Sequence, residues 1–133
     1  MRIDALFAHA ARLGVDVHWA DLGEVRRGEY RDNSRLIILD RSLTEAQATA
    51  TLAHEVGHAA YRDRCLNDPA AERRAWEYGA TLVIREDEYR TAERLVGSHP
   101  SAIAAELGVT RRLVECWRHW YARTQTGRQK EVS

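Results

Sequence analysis

Apolar residues recur at helical spacing along most of the chain, and the places where that rhythm changes mark its elements. Ile3, Leu6, Phe7, Ala10 and Leu13 share one helical face ahead of Gly14, which predicts an amphipathic first helix that stops there. Val15, Val17 and Trp19 then alternate with Asp16, His18 and Ala20. RGEYRDNSR carries Gly and Asp-Asn-Ser turn chemistry, and RLIILD is a short aliphatic run. Together these predict a small, mainly antiparallel sheet of about three strands.

The second half reads as helices. SLTE, Ser42 to Glu45, has the form of a capping box and predicts a helix over about Leu43–Ala60. CLNDPAAE breaks it. Asp68 as N-cap and Pro69 at the first helical position then predict another, to about Ile84. EDEYRTAERLV leads to Gly97. SHPSAIAAELGVTRRLVECWRHWY holds two short helical patterns joined at Leu107-Gly108-Val109, with Ser101 and Thr110 as caps. The final TQTGRQKEVS is polar and uncapped, the pattern of a flexible tail. The class expected is α+β.

Composition narrows the function. The 133 residues suffice for one domain that buries most of its apolar surface without disulfides. Lys plus Arg equals Asp plus Glu at 20 each, so net charge advertises neither nucleic acid nor a membrane surface. Cys65 and Cys116 form no C-x-x-C pair and fit ordinary thiols in a reducing compartment. The N-terminal stretch lacks an uninterrupted apolar core with a cleavage site, and no run is long enough to span a bilayer. A cytoplasmic protein is the expectation.

TLAHEVGHAAY is the stretch that carries chemistry. At about 100° per residue, His54 and His58 lie roughly 40° apart around the helix and one turn apart along it, so both imidazoles can reach one ion. That is the spacing a tetrahedral zinc needs from two nitrogen ligands. Glu55 falls on the same flank, where a general base can hold a metal-bound water without ligating the ion. The alternative is that three polar residues merely share a solvated face. It fits poorly, because Leu52, Ala53, Val56, Gly57, Ala59 and Ala60 make the helix apolar on most sides, and unpaired His and Glu there cost on the order of several kcal/mol.

A catalytic zinc keeps three protein ligands. Helical phase puts Glu72 with Ala75, Trp76, Gly79 and Val83 on the packing face of its helix. Glu77 falls with Arg73, Arg74, Thr81 and Arg85 on the wet face. Small Ala75 and Gly79 permit close approach to the histidine helix, so Glu72 is the favoured third ligand over Asp63, Asp68, His18 and His99. Tyr61, Tyr78, Tyr89 and His99 are chemically able to donate to an oxyanion, and the sequence does not choose among them. Zinc is the expected ion, and imidazole and carboxylate also accept manganese, iron or cobalt.

HEVGH followed by ERRAWEYGATLVI, with Glu72, Ala75, Tyr78, Ala80 and Leu82 to Ile84, resembles the ImmA/IrrE family of metallopeptidases. The resemblance covers about residues 34–88. It departs at Gly79, where Ala is usual, and at Arg85, where Pro usually ends the motif. It implies His54 and His58 as zinc ligands, Glu55 as catalytic acid and Glu72 as downstream ligand. It also implies a partner protein, a helix-turn-helix transcriptional repressor that is cleaved or otherwise inactivated, switching on a phage, a mobile element or stress genes. The expected organisation is a zincin-like core over 1–96, a helix-turn-helix-like pair over 97–122 and a flexible tail over 123–133. Rival readings are a metal-containing non-proteolytic antirepressor and a DNA-binding regulator. In the second, Arg111, Arg112 and Arg118 would meet phosphates, which the intervening Glu115 and the neutral chain do not favour.

Overall fold

A computed structural model describes residues 1–64 and 67–132, so Cys65 lies outside the described residues. The element order is α1 (Arg2–Arg12), β1 (Asp16–Ala20), β2 (Gly28–Arg31), β3 (Leu36–Asp40), α2 (Glu45–Tyr61), α3 (Pro69–Val83), α4 (Glu86–Val96), α5 (Pro100–Leu107) and α6 (Arg111–Val132). The class is α+β, as the patterning predicts. Among the described residues no helix is long and apolar enough to cross a membrane.

The sheet is mixed rather than mainly antiparallel. Its order is β1-β3-β2, with β1 parallel to β3 from Asp16↔Leu36 to Ala20↔Asp40, and β2 antiparallel to β3. The apolar content of each strand accounts for this. LIILD is buried along nearly its whole length and takes the centre, where both faces are covered. The half-exposed strands take the edges, and the chain returns to β3 from β2 in the same direction as β1.

α2 begins at a different cap from the one expected. Asp40 is buried at the end of β3, accepts from the Leu22 amide at 2.9 Å, and takes the Ser42 hydroxyl as a further donor. With Ser42 engaged, Thr44 is the N-cap. Its hydroxyl accepts from the Gln47 amide at 3.2 Å, and the Gln47 side chain accepts from the Thr44 amide at 3.0 Å. α3 starts as predicted, with Asp68 accepting from the Ala70 and Ala71 amides ahead of Pro69. α5 is capped by His99 in place of Ser101: its Nδ1 accepts from the Ser101 amide at 3.1 Å, and Pro100 fills the first position.

α2 and α3 cross in direct backbone contact. A Cβ on Gly57 would lie 2.6 Å from Ala75 Cα, and one on Gly79 would lie 2.6 Å from the Ala53 carbonyl carbon. Both separations are far inside van der Waals contact, so only glycine fits at either position. Gly28 does the same for the sheet, since a Cβ there would meet the Thr51 methyl at 2.6 Å. The edge strand β2 therefore lies hard against α2.

The wet-face assignment of Glu77 is corrected by α6, which runs over Arg111–Val132 and packs along α3. Glu77 is 6% exposed, and its carboxylate accepts two bonds from the Arg123 guanidinium. Face assignment from α3 alone could not anticipate a cation from 46 residues downstream. On the other side of α6, Trp117 stacks on Tyr89 at 4.3 Å and on Tyr121 at 5.0 Å.

Gly79→Ala sets two effects against each other: about 1 kcal/mol gained from helix propensity and a steric overlap with rigid backbone. The overlap should win, with a net loss of about 1–3 kcal/mol, read as a lower urea midpoint at unchanged m-value.

Candidate metal centre

The interior of α2 delivers His54, Glu55 and His58, and the first turn of α3 delivers Glu72. The glycine-mediated crossing brings these two segments together. His54 Nε2 lies 2.8 Å from Glu72 Oε2, His58 Nε2 lies 2.8 Å from Glu72 Oε1, and the two imidazole nitrogens are 3.1 Å apart. One ligand atom from each residue falls within a 4.8 Å group positioned to hold a metal ion. Two imidazole nitrogens and a carboxylate oxygen are the donor set of a divalent first-row ion, and zinc takes such a set while keeping a further position open. The residues present fit the ion.

His58 is oriented from behind. Its Nδ1 is 2.9 Å from Asp63 Oδ2, and that carboxylate also pairs with Arg74 at 2.7 Å. A carboxylate at Nδ1 keeps the proton there and leaves the Nε2 lone pair facing the group of ligands. Asp63 reaches this place because Arg62 ends α2 in the left-handed conformation, φ 54°, turning the chain back toward the helix. His54 lies against a flat aromatic face, stacked on Trp76 with ring centroids 4.3 Å apart.

Glu55 is 5% exposed, and burial pushes its carboxyl up to about 7, with Glu72 and Glu29 adding to the rise and His58 opposing it. Burial, followed by the neighbouring His58, holds His54 well below the ordinary imidazole value, against the pull of Glu72. The same residues line a cleft of about 760 Å³. One wall is β2 from Gly28 to Arg31 with Asp32 and Asn33 after it, and another is Asp63 and Arg64 from the α2–α3 connection.

A family model described as the IrrE N-terminal-like domain of peptidase M78 matches residues 10–115. The chain belongs to this family. The matched span runs from the end of α1 into α6 and takes in His54, Glu55, His58 and Glu72. No curated protein matches the chain. Membership of M78 supports a metallopeptidase-type function.

The four sequence-derived oxyanion candidates of this M78 chain are absent from the cleft lining among the described residues. Tyr78 shares a 2.8 Å hydrogen bond with His9, and Tyr61 packs edge-on against Tyr78 under the Arg74 guanidinium. Tyr89 is buried against Trp117 with its hydroxyl on Arg118, and His99 caps α5. Of the alternative ligands, Asp68 caps α3, His18 lies on β1, and Asp63 supports His58 from the rear. Cys116 is a half-buried free thiol whose burial raises its pKa.

Asp32 is the residue that sequence reasoning missed. Its carboxylate is 5% exposed at the turn between β2 and β3, and it accepts from the Tyr30 hydroxyl at 2.6 Å, Arg62 Nε at 3.1 Å and Arg64 Nε at 2.9 Å. It thus grips the connection that carries Asp63 on both sides. DNS reads only as turn chemistry, and nothing local announces two arginines from 30 and 32 residues away.

The Tyr30 hydrogen bond, joined by those from Arg64 and Arg62, holds the Asp32 carboxyl far below the ordinary range. A depressed folded-state pKa stabilises the fold fully above the unfolded value of about 3.9, and that contribution is lost as pH falls toward the folded value. Urea unfolding of wild type and Asp32→Asn should therefore differ fully near pH 6, and the difference should shrink step by step as pH is lowered from about 4 toward the folded value.

Proposed function

We propose that the chain is a cytoplasmic, zinc-dependent endopeptidase that hydrolyses a peptide bond in a partner protein, a transcriptional repressor of the helix-turn-helix type. The observation that carries this reading is the meeting of His54, His58 and Glu72 in a cleft that also holds the buried carboxylate of Glu55.

His54, His58 and Glu72 would hold the ion, which when bound supplies Lewis acidity toward a carbonyl oxygen and lowers the pKa of water. Glu55 sits one residue from His54 with a carboxyl poised near neutrality, able to take a proton from the attacking water and return it to the leaving amine. The wall of the cleft supports an extended substrate. β2 pairs only with β3, so its outer edge has no strand partner among the described residues, and main-chain groups there can pair with a peptide laid along it.

The donor set also admits manganese, iron or cobalt. The arginines that a DNA-binding reading needs are engaged within the chain. Arg111 pairs with Glu115 at 2.6 Å, Arg112 lies over Trp76, and Arg118 donates to the Tyr89 hydroxyl and the Ser98 carbonyl.

Glu55→Gln should keep metal binding and lose at least about 10²-fold in hydrolysis when the metal-loaded chain is incubated with a candidate repressor and fragments are read by mass spectrometry. Relief of repression by this variant with the repressor intact would contradict the peptidase reading and favour a non-proteolytic antirepressor.

A further inference from the structure

The two histidines of the cleft are held in different ways. His58 has its rear nitrogen hydrogen-bonded to Asp63 at 2.9 Å. The rear nitrogen of His54, Nδ1, lies 3.7 Å from Glu55 Oε2, beyond hydrogen-bond length. A metal-ligating imidazole ordinarily has its plane fixed by a partner at that nitrogen, so something else must hold His54.

The indole of Trp76 lies flat against the His54 ring, with centroids 4.3 Å apart and 9° between the planes. Rotating the imidazole about its own axis would drive an edge into that face, since two stacked aromatic rings at this separation leave no space between them. Trp76 is one turn beyond Glu72 on α3, so one helix face supplies both the carboxylate and the plate beside the ring. The indole is in turn covered by the Arg112 guanidinium, 4.1 Å from the ring centroid. Arg112 stands in the first turn of α6, and α6 is tied to α3 a second time by the Arg123–Glu77 pair.

We propose that Trp76 and Arg112 are positioning residues that fix the plane of His54 for metal binding, which makes α6 a supporting part of the metal centre rather than an appendage beside it. The proposal rests on the reading of His54, His58 and Glu72 as metal ligands. Trp76 acts by contact with the ring, and Arg112 acts by holding Trp76 through its charge over the indole face.

Zinc affinity of the full chain, measured by competition with a chromogenic chelator, tests it without reference to catalysis. Trp76→Leu should weaken binding about tenfold and Arg112→Ala about threefold. Trp76→Phe and Arg112→Lys, which keep a flat ring and a cation, should return most of the loss. Arg111→Ala, which removes a neighbouring exposed arginine paired with Glu115, should bind as wild type does. The visible absorption of the cobalt-loaded protein adds a readout that a general loss of stability does not move: a turned His54 changes the ligand field, and the bands should shift in Trp76→Leu. Wild-type zinc affinity and an unchanged cobalt spectrum in both Trp76→Leu and Arg112→Ala would overturn the proposal. Absence of zinc and cobalt binding by the wild-type chain would instead overturn the metal-site reading, and this proposal with it.

Discussion

The separation of two helices governs this molecule. Gly57 and Gly79 let α2 and α3 touch backbone to backbone, each glycine lying against a main-chain segment of the other helix. A carboxylate side chain is short, so Glu72 meets two imidazoles on a neighbouring helix only if the axes are this close. Gly57, which lies in HEVGH, is thus part of the packing that completes the site, next to His58 and two residues from Glu55. The cost of glycine in a helix interior, about 1 kcal/mol each, is offset by the burial that close packing brings.

Around that crossing the chain arranges support in layers. Asp63 fixes His58, and Asp32 holds the connection on which Asp63 stands. Trp76 lies against His54, and α6 covers Trp76 and neutralises Glu77. These supports come from the β2–β3 turn, the α2–α3 connection and the C-terminal helix, so elements distant in sequence hold a group of candidate ligands that comes from only two helices. Gly28 adds the sheet to this arrangement by setting β2 against α2, which leaves the strand's free edge as a wall of the cleft.

How much of this was legible in the sequence depends on how local each feature is. That His54, Glu55 and His58 sit together on one helix was readable because a helix fixes their relation within two turns. The approach of Glu72 to the two histidines was readable through helical phase together with Ala75 and Gly79, residues small enough to permit a close contact. Glu77 was misread because the cation that buries it lies on another helix, and a hydrophilic face looks wet until its partner is known. The parallel pairing of β1 with β3 and the grip of Asp32 on Arg62 and Arg64 are likewise long-range facts that no local pattern encodes. Ser42 lost its expected capping role to a buried neighbour, Asp40, two residues before it. The family resemblance and the matched span agree on the segment where local signals are strongest.

The proposed function requires Glu72 to complete a metal centre with His54 and His58. Elemental analysis of the purified chain beside its Glu72→Ala variant tests this most directly. One divalent ion per wild-type chain and its loss from a variant that remains folded is the result expected. A folded Glu72→Ala protein retaining its full complement of metal would contradict it.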